Sequence, residues 1–122
     1  MESPETAAIE HMKAQMTRDN SLVASTVAFP MTQMMPDGSK ETFLNEDDLP
    51  DMNLMPVEMA ISSTSIVAQS HEMAIVEVRF GWDSIPGVEA GEGLAWWCFL
   101  NQGSRWLVSW RQYLGEVSTD GA

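Results

Sequence analysis

The sequence predicts an α+β domain in which N-terminal helices pack on an antiparallel sheet. Apolar residues recur at helical spacing only in the N-terminal quarter of the chain. From Val57 onward, four long runs rich in Val, Ile, Thr, Trp and Phe follow one another. The runs are joined by Ser70-His71-Glu72, by the longer Asp83 to Glu92 loop and by Gln102-Gly103-Ser104, connections brief enough that neighbouring strands should run antiparallel. The order, helices first and strands after, is that of a two-layer α+β arrangement. A chain of 122 residues closes about one hydrophobic core, so residues 1–116 are expected to form one domain and 117–122 a loose tail.

Ala8, Ile9, Met12 and Met16 place one apolar stripe on a first helix running from Ser3 or Pro4 to about Arg18, with Ser3 as its cap. Asp19-Asn20-Ser21 interrupts, and Leu22, Val23, Thr26 and Val27 fit a shorter helix ended by Pro30. Short extended pieces are expected at Met31 to Met35 and Glu41 to Leu44, separated by the turn Pro36-Asp37-Gly38. The long strands are expected at Val57 to Gln69, Met73 to Trp82, Gly93 to Asn101 and Arg105 to Leu114.

Alternation assigns their faces. Ala74, Val76, Val78, Phe80 and Trp82 share an apolar side, opposite Met73, Ile75, Glu77 and Arg79. In the last strand Trp106, Val108, Trp110, Gln112 and Leu114 share a face, against Leu107, Ser109, Arg111 and Tyr113. The second face of each strand is mixed but still holds Ile75, Leu107 and Tyr113, which predicts burial against a second subunit.

Six Lys and Arg stand against 18 Asp and Glu, a formal charge of −12. Nucleic acid and anionic lipid surfaces both require a basic footprint, so neither is an expected partner. Five tryptophans and 44% hydrophobic residues mark a folded chain. Cys98 is the lone cysteine, which excludes an intrachain disulfide, and it lies in the apolar run Leu94 to Leu100. The acidic start Met1-Glu2-Ser3-Pro4-Glu5 does not resemble a signal peptide, and no run reaches the roughly 20 apolar residues of a membrane span. A cytoplasmic location is expected.

Residues 41–60 carry six carboxylates and no Lys or Arg. Asn45-Glu46-Asp47-Asp48-Leu49-Pro50-Asp51 lacks the turn glycine of a calcium loop, so it is read as a helix start capped by Asn45, its acids facing the positive dipole end. These acids are expected to border a pocket entrance, where they disfavour anionic ligands unless an arginine lies nearby. Two histidines and one cysteine far apart make no zinc pattern, and no metal or cofactor is expected. His11 is placed on the solvated side of the first helix and His71 in a turn. Gly87, Gly91 and Gly93 are read as a flexible connector.

Two helices, Phe29-Pro30-Met31, Pro36-Asp37-Gly38, an acidic helical turn and four long strands ending in Gly103-Ser104-Arg105-Trp106-Leu107-Val108 occur in this order. In that order and spacing the chain resembles the nuclear transport factor 2-like (SnoaL-like, cystatin-like) superfamily, and within it an uncharacterised bacterial subgroup. The resemblance implies a cone: a strongly curved antiparallel sheet wraps the helices, leaves a pocket at its open end, and dimerises through its outer face. The subgroup often carries His after Phe-Pro and Arg near the end of the second long strand, where this chain has Met31 and Trp82. Arg111 matches an arginine of that subgroup. The carboxylate, tyrosine and protonated-aspartate set of ketosteroid isomerases is not matched, since the sole tyrosine is Tyr113 on the expected outer face.

Such a cone predicts a ligand pocket walled by Phe29, Met31, Phe80, Trp82, Trp96, Trp110 and Gln112, with Asp47 and Asp48 at its rim. Arg79, Arg111 and Tyr113 are assigned to a homodimer interface. The leading expectation is a homodimer that binds a small apolar or aromatic molecule, its activity unassigned. A lyase or isomerase acting on a small hydrophobic substrate through a buried carboxylate base is one alternative. A non-catalytic protein-interaction module is another.

Overall fold

The computed structural model describes residues 2–51 and 57–117. Helix α1 spans Pro4–Met16, and Ser3 caps it by accepting the Thr6 N–H at 3.1 Å. Its buried face is Pro4, Ala7, Ala8, His11, Met12 and Gln15. That stripe is rotated from the expected one, for Ile9 is exposed and Met16 only partly buried. His11, expected in solvent, is fully buried. Two polar residues on the inward side mask the contrast on which an amphipathicity argument depends. Helix α2, Asn20–Ala24, starts at Asp19, whose carboxylate accepts the Ser21 N–H.

The second helix does not reach Pro30. Strand β1 already begins at Val27 and runs to Met34, with Pro30 exposed within it after a cis peptide bond from Phe29. The turn at Pro36-Asp37-Gly38 leads into β2, Lys40–Phe43, which pairs antiparallel with β1. Gly38 has φ of 88°, and Asp37 accepts both the N–H and the hydroxyl of Ser39. The acidic segment then forms one 3-10 turn, Glu46–Asp48, with Asn45 accepting the Asp47 N–H as its cap.

Strands β3 (Met59–Gln69), β4 (Met73–Trp82), β5 (Gly91–Gln102) and β6 (Arg105–Glu116) form an antiparallel meander. The six strands make one curved, unclosed sheet ordered β2-β1-β6-β5-β4-β3. β1 lies parallel beside β6, a departure from a wholly antiparallel sheet. The helical layer covers the inner face, and Val76, Val78, Trp97, Phe99, Val108, Met31 and Met12 form the core between them. The loose tail expected at 117–122 lies, beyond Val117, outside the described residues.

One irregularity decides the site. Val108 pairs with Phe99, but Trp110 pairs with Cys98, so Ser109 is an extra residue in β6. Such a bulge reverses the facing of everything beyond it. Trp106 and Val108 point inward as expected, but Arg111 and Tyr113 then join them. Trp110, Gln112 and Leu114 turn to the outer face instead.

Candidate functional site

The bulge delivers Arg111 to the inner face of β6, opposite Trp97 of β5 and in register with Gln33 of β1. Helix α1 closes the space from above with His11 and, one turn further, Gln15. Arg111 is only 5% exposed. One terminal nitrogen donates to Nε2 of His11 at 3.2 Å and the other to Oε1 of Gln33 at 2.5 Å. Arginine can only donate, so Nε2 of His11 must be the acceptor. Nδ1 therefore carries the proton and donates to the Thr26 hydroxyl at 2.6 Å, which in turn donates to the Val23 carbonyl.

This chain of bonds fixes a neutral histidine. Burial holds the His11 pKa well below the ordinary range, and the neighbouring Arg111 charge lowers it further. The imidazole also meets Trp97 edge-on, ring centres 5.1 Å apart and planes at 87°.

What the cluster lacks is an acceptor with charge. The one ion pair among the described residues joins Arg18 to Glu58 at the surface, and no Asp or Glu among them is buried. The buried nitrogens Nε of Arg111, Nε1 of Trp97 and Nε2 of Gln15 have no hydrogen-bond partner. Burying a guanidinium without a counter-charge costs several kcal/mol, and two neutral acceptors offset only part of that.

From Arg111 toward the end of the sheet where β3 and β5 begin, the inner face becomes a row of rings. Tyr113 meets Phe80 edge-on with centres 6.2 Å apart, and Phe80 lies 6.0 Å from Trp82. Tyr113, Trp82, Met59 and Ile61 are only partly buried there. Phe80 and Trp82 cross over glycines of β5: a Cβ on Gly93 would clash with the tip of the Phe80 ring, and one on Gly91 would sit 2.8 Å from Trp82. Gly93 is a strand residue as expected, Gly91, expected only in the connector, is one too, and each seats a ring. Trp82 is anchored by donating its indole N–H to the Glu89 carbonyl at 2.9 Å. Two adjoining clefts open at this end. One, about 470 Å³, lies between α1 and the start of β3, and the other, about 540 Å³, between β3 and Trp82, Asp83 and Gly91.

Of the residues expected to wall a pocket, Phe29, Met31, Phe80 and Trp82 therefore lie on the inner side. Trp96 does not: it is 39% exposed on the outer face, and Trp97 is the inward member of the pair. Trp110 and Gln112 are outward because of the bulge, and with Ile75, Trp96, Cys98 and Leu114 they line an outer groove of about 300 Å³. Asp47 and Asp48 are exposed and line neither cleft. Asp48 instead accepts the Leu44 N–H at 2.8 Å, and neighbouring Glu46 receives the Ser21 hydroxyl. Arg79 is exposed on the outer face, as expected, while Glu77 accepts the Trp96 indole N–H. Arg111 and Tyr113, assigned to a subunit interface, are interior residues. No three His, Cys, Asp or Glu residues among those described are grouped to hold a metal ion. No helix among them is long and apolar enough to cross a membrane.

A curved, unclosed sheet wrapped on one face by an N-terminal helix is the nuclear transport factor 2-like (cystatin-like) fold. Solved structures of that fold match the chain over nearly its whole length. A protein of unknown function with a cystatin-like fold from Nostoc punctiforme superposes with a TM-score of 0.71 at 12% identity, covering 93% of this chain and 87% of that one. A nuclear transport factor 2-like protein from Cytophaga hutchinsonii gives 0.69 at 11% identity, covering 89% and 92%. A Shewanella frigidimarina protein provisionally named a ketosteroid isomerase gives 0.70 at 15%, covering 88% and 90%. No protein-family model matches the sequence, and neither does any curated protein.

Proposed function

We propose that this chain binds a small organic molecule with an apolar or aromatic body at the ring-lined end of its inner face. The observation that carries this is the row Trp82, Phe80 and Tyr113. Three rings gathered on the inner face, Tyr113 and Trp82 half-buried and Trp82 lining an open cleft, form a wall that a flat apolar body can complete. Trp82 stands at the entrance, so its emission is the natural reporter. Titration with steroid-like, terpenoid and small aromatic compounds should shift tryptophan fluorescence, and Trp82→Phe should abolish most of the change. If none of these compounds perturbs the spectrum at millimolar concentration, the proposal fails. An isomerase or lyase with a buried carboxylate base finds no support, since no described carboxylate is buried.

A homodimer through the outer face is favoured by a separate observation. Trp96, Trp110, Ile75 and Leu114 leave an apolar groove across β4, β5 and β6, the kind of patch that a second subunit covers. Trp110→Asp should halve the mass seen by light scattering, and an unchanged mass would remove this interface. The lone Cys98, half-buried and with its thiol pKa raised by that burial, suits a reducing cytoplasm.

A further inference from the structure

We infer that the polar end of the ligand is a carboxylate and that Arg111 is the residue that receives it. The inference rests on the ligand-binding proposal above and adds the chemical class. Three features of the interior point the same way.

The first is the state of Arg111 itself. It is buried, it is faced by no carboxylate, and it spends its two terminal nitrogens on neutral acceptors while Nε has none. A guanidinium presents a planar fork whose best partner is a carboxylate, which takes two parallel N–H bonds at once. The second is the sign of the remaining imbalance. Every unpartnered nitrogen around the cluster is a donor: Nε of Arg111, Nε1 of its cross-strand partner Trp97, and the amide nitrogen of Gln15. Acceptors are what this interior is short of, and an anion brings several. The third is position. Tyr113 follows Arg111 by two residues on the same face of β6, and Phe80 and Trp82 continue the row to the open end. An arylalkanoate lying along that row puts its ring against Phe80 and Tyr113 and its carboxylate toward Arg111. The acceptor side chain of Gln33 is the group it would displace or share.

The test compares acids with their neutral isosteres. Benzoate, phenylacetate and 3-phenylpropionate are titrated calorimetrically into the wild-type protein beside the corresponding primary amides, and then into Arg111→Met and Arg111→Lys. At least one acid should bind about tenfold or more tighter than its amide, with the preference lost in Arg111→Met and partly kept in Arg111→Lys. Acid and amide binding equally well in the wild type would overturn the carboxylate assignment and leave the pocket standing. A preference that survives in Arg111→Met would overturn the role of Arg111. Failure of every acid and every amide to bind at millimolar concentration would overturn the pocket and this inference together. The wild-type comparison stands without the variants, so an unfolded Arg111→Met would not rescue the idea.

Discussion

Lowering the pH from 7.5 to 5.5 should destabilise this protein through His11. In the folded chain Nε2 of His11 accepts from Arg111 and Nδ1 donates to Thr26, so the ring is held neutral. A second proton would set N–H against N–H beside a buried cation, and burial and that charge together keep the folded pKa well below the ordinary value. In the unfolded chain the same ring titrates near its ordinary pKa of about 6.5. Below that pH the unfolded state binds a proton that the folded state refuses, so stability falls as the pH falls. The contribution is fully present above about pH 7.5. By pH 5.5 the loss is about 1.4 kcal/mol, and it steepens toward the same amount for each further pH unit until the folded pKa is reached. Urea unfolding followed by tryptophan fluorescence at pH 7.5, 6.5 and 5.5 measures it. His11→Gln keeps an acceptor for Arg111 but cannot be charged, so its stability should be flatter than wild type over this window. His71→Gln, in the exposed turn after β3, serves as the parallel control. A wild-type protein that gains stability on acidification, or a His11→Gln variant with the wild-type slope, would refute the reasoning.

One substitution and one deletion test the ring row and the bulge. Gly93→Ala drives a methyl into the Phe80 ring, which must leave its seat, at a cost of about 1–3 kcal/mol in urea unfolding and with a changed near-ultraviolet dichroism. An unaltered spectrum and midpoint would show that Phe80 does not lie against Gly93. Deleting Ser109 removes the extra residue, so Trp110 follows Val108 directly and plain alternation keeps Arg111 and Tyr113 inward and Trp110 and Gln112 outward. That variant should still unfold cooperatively with Arg111 buried, and loss of the transition would mean that Ser109 is not a dispensable extra residue between Val108 and Trp110.

The fold was legible where side-chain chemistry and backbone period agree. Strand β4 alternates without a break, so Ala74, Val76, Val78, Phe80 and Trp82 were assignable to the interior from spacing alone. Ser3 and Asn45 have the side chains that caps require, and both cap. The centre of the candidate site was not legible, for two physical reasons. A bulge leaves no mark in composition, since Ser109 is an unremarkable strand residue, yet it exchanges Arg111 and Tyr113 for Trp110 and Gln112. On α1, a stripe through Ala7, His11 and Gln15 fits helical periodicity as well as one through Ile9, Met12 and Met16. Hydrophobicity chooses the second, whereas the partners that satisfy His11 sit on strands distant in sequence. The unexploited signal was the pair of polar residues, His11 and Gln15, one turn apart beside Ala7 and Ala8. Polar groups placed so are costly unless something interior meets them.

The charge balance and the interior arginine make opposite demands on an anionic ligand, and the two act at different stages of binding. A net charge of −12 repels a carboxylate during approach, an effect carried through solvent and screened by salt. Arg111 acts only after the ligand is buried, where screening is weak. Association and dissociation should therefore respond differently to ionic strength. Raising salt from about 0.01 M to 0.15 M shortens the screening length from about 30 Å to 8 Å, so the association rate of a bound arylalkanoate should rise severalfold. Its dissociation rate should change little, while Arg111→Lys should raise dissociation and leave the salt response of association intact. Stopped-flow fluorescence separates the two rates. An association rate that falls with salt would mean that the ligand meets a net positive entrance, and the acidic surface would then have no part in selecting what reaches Arg111.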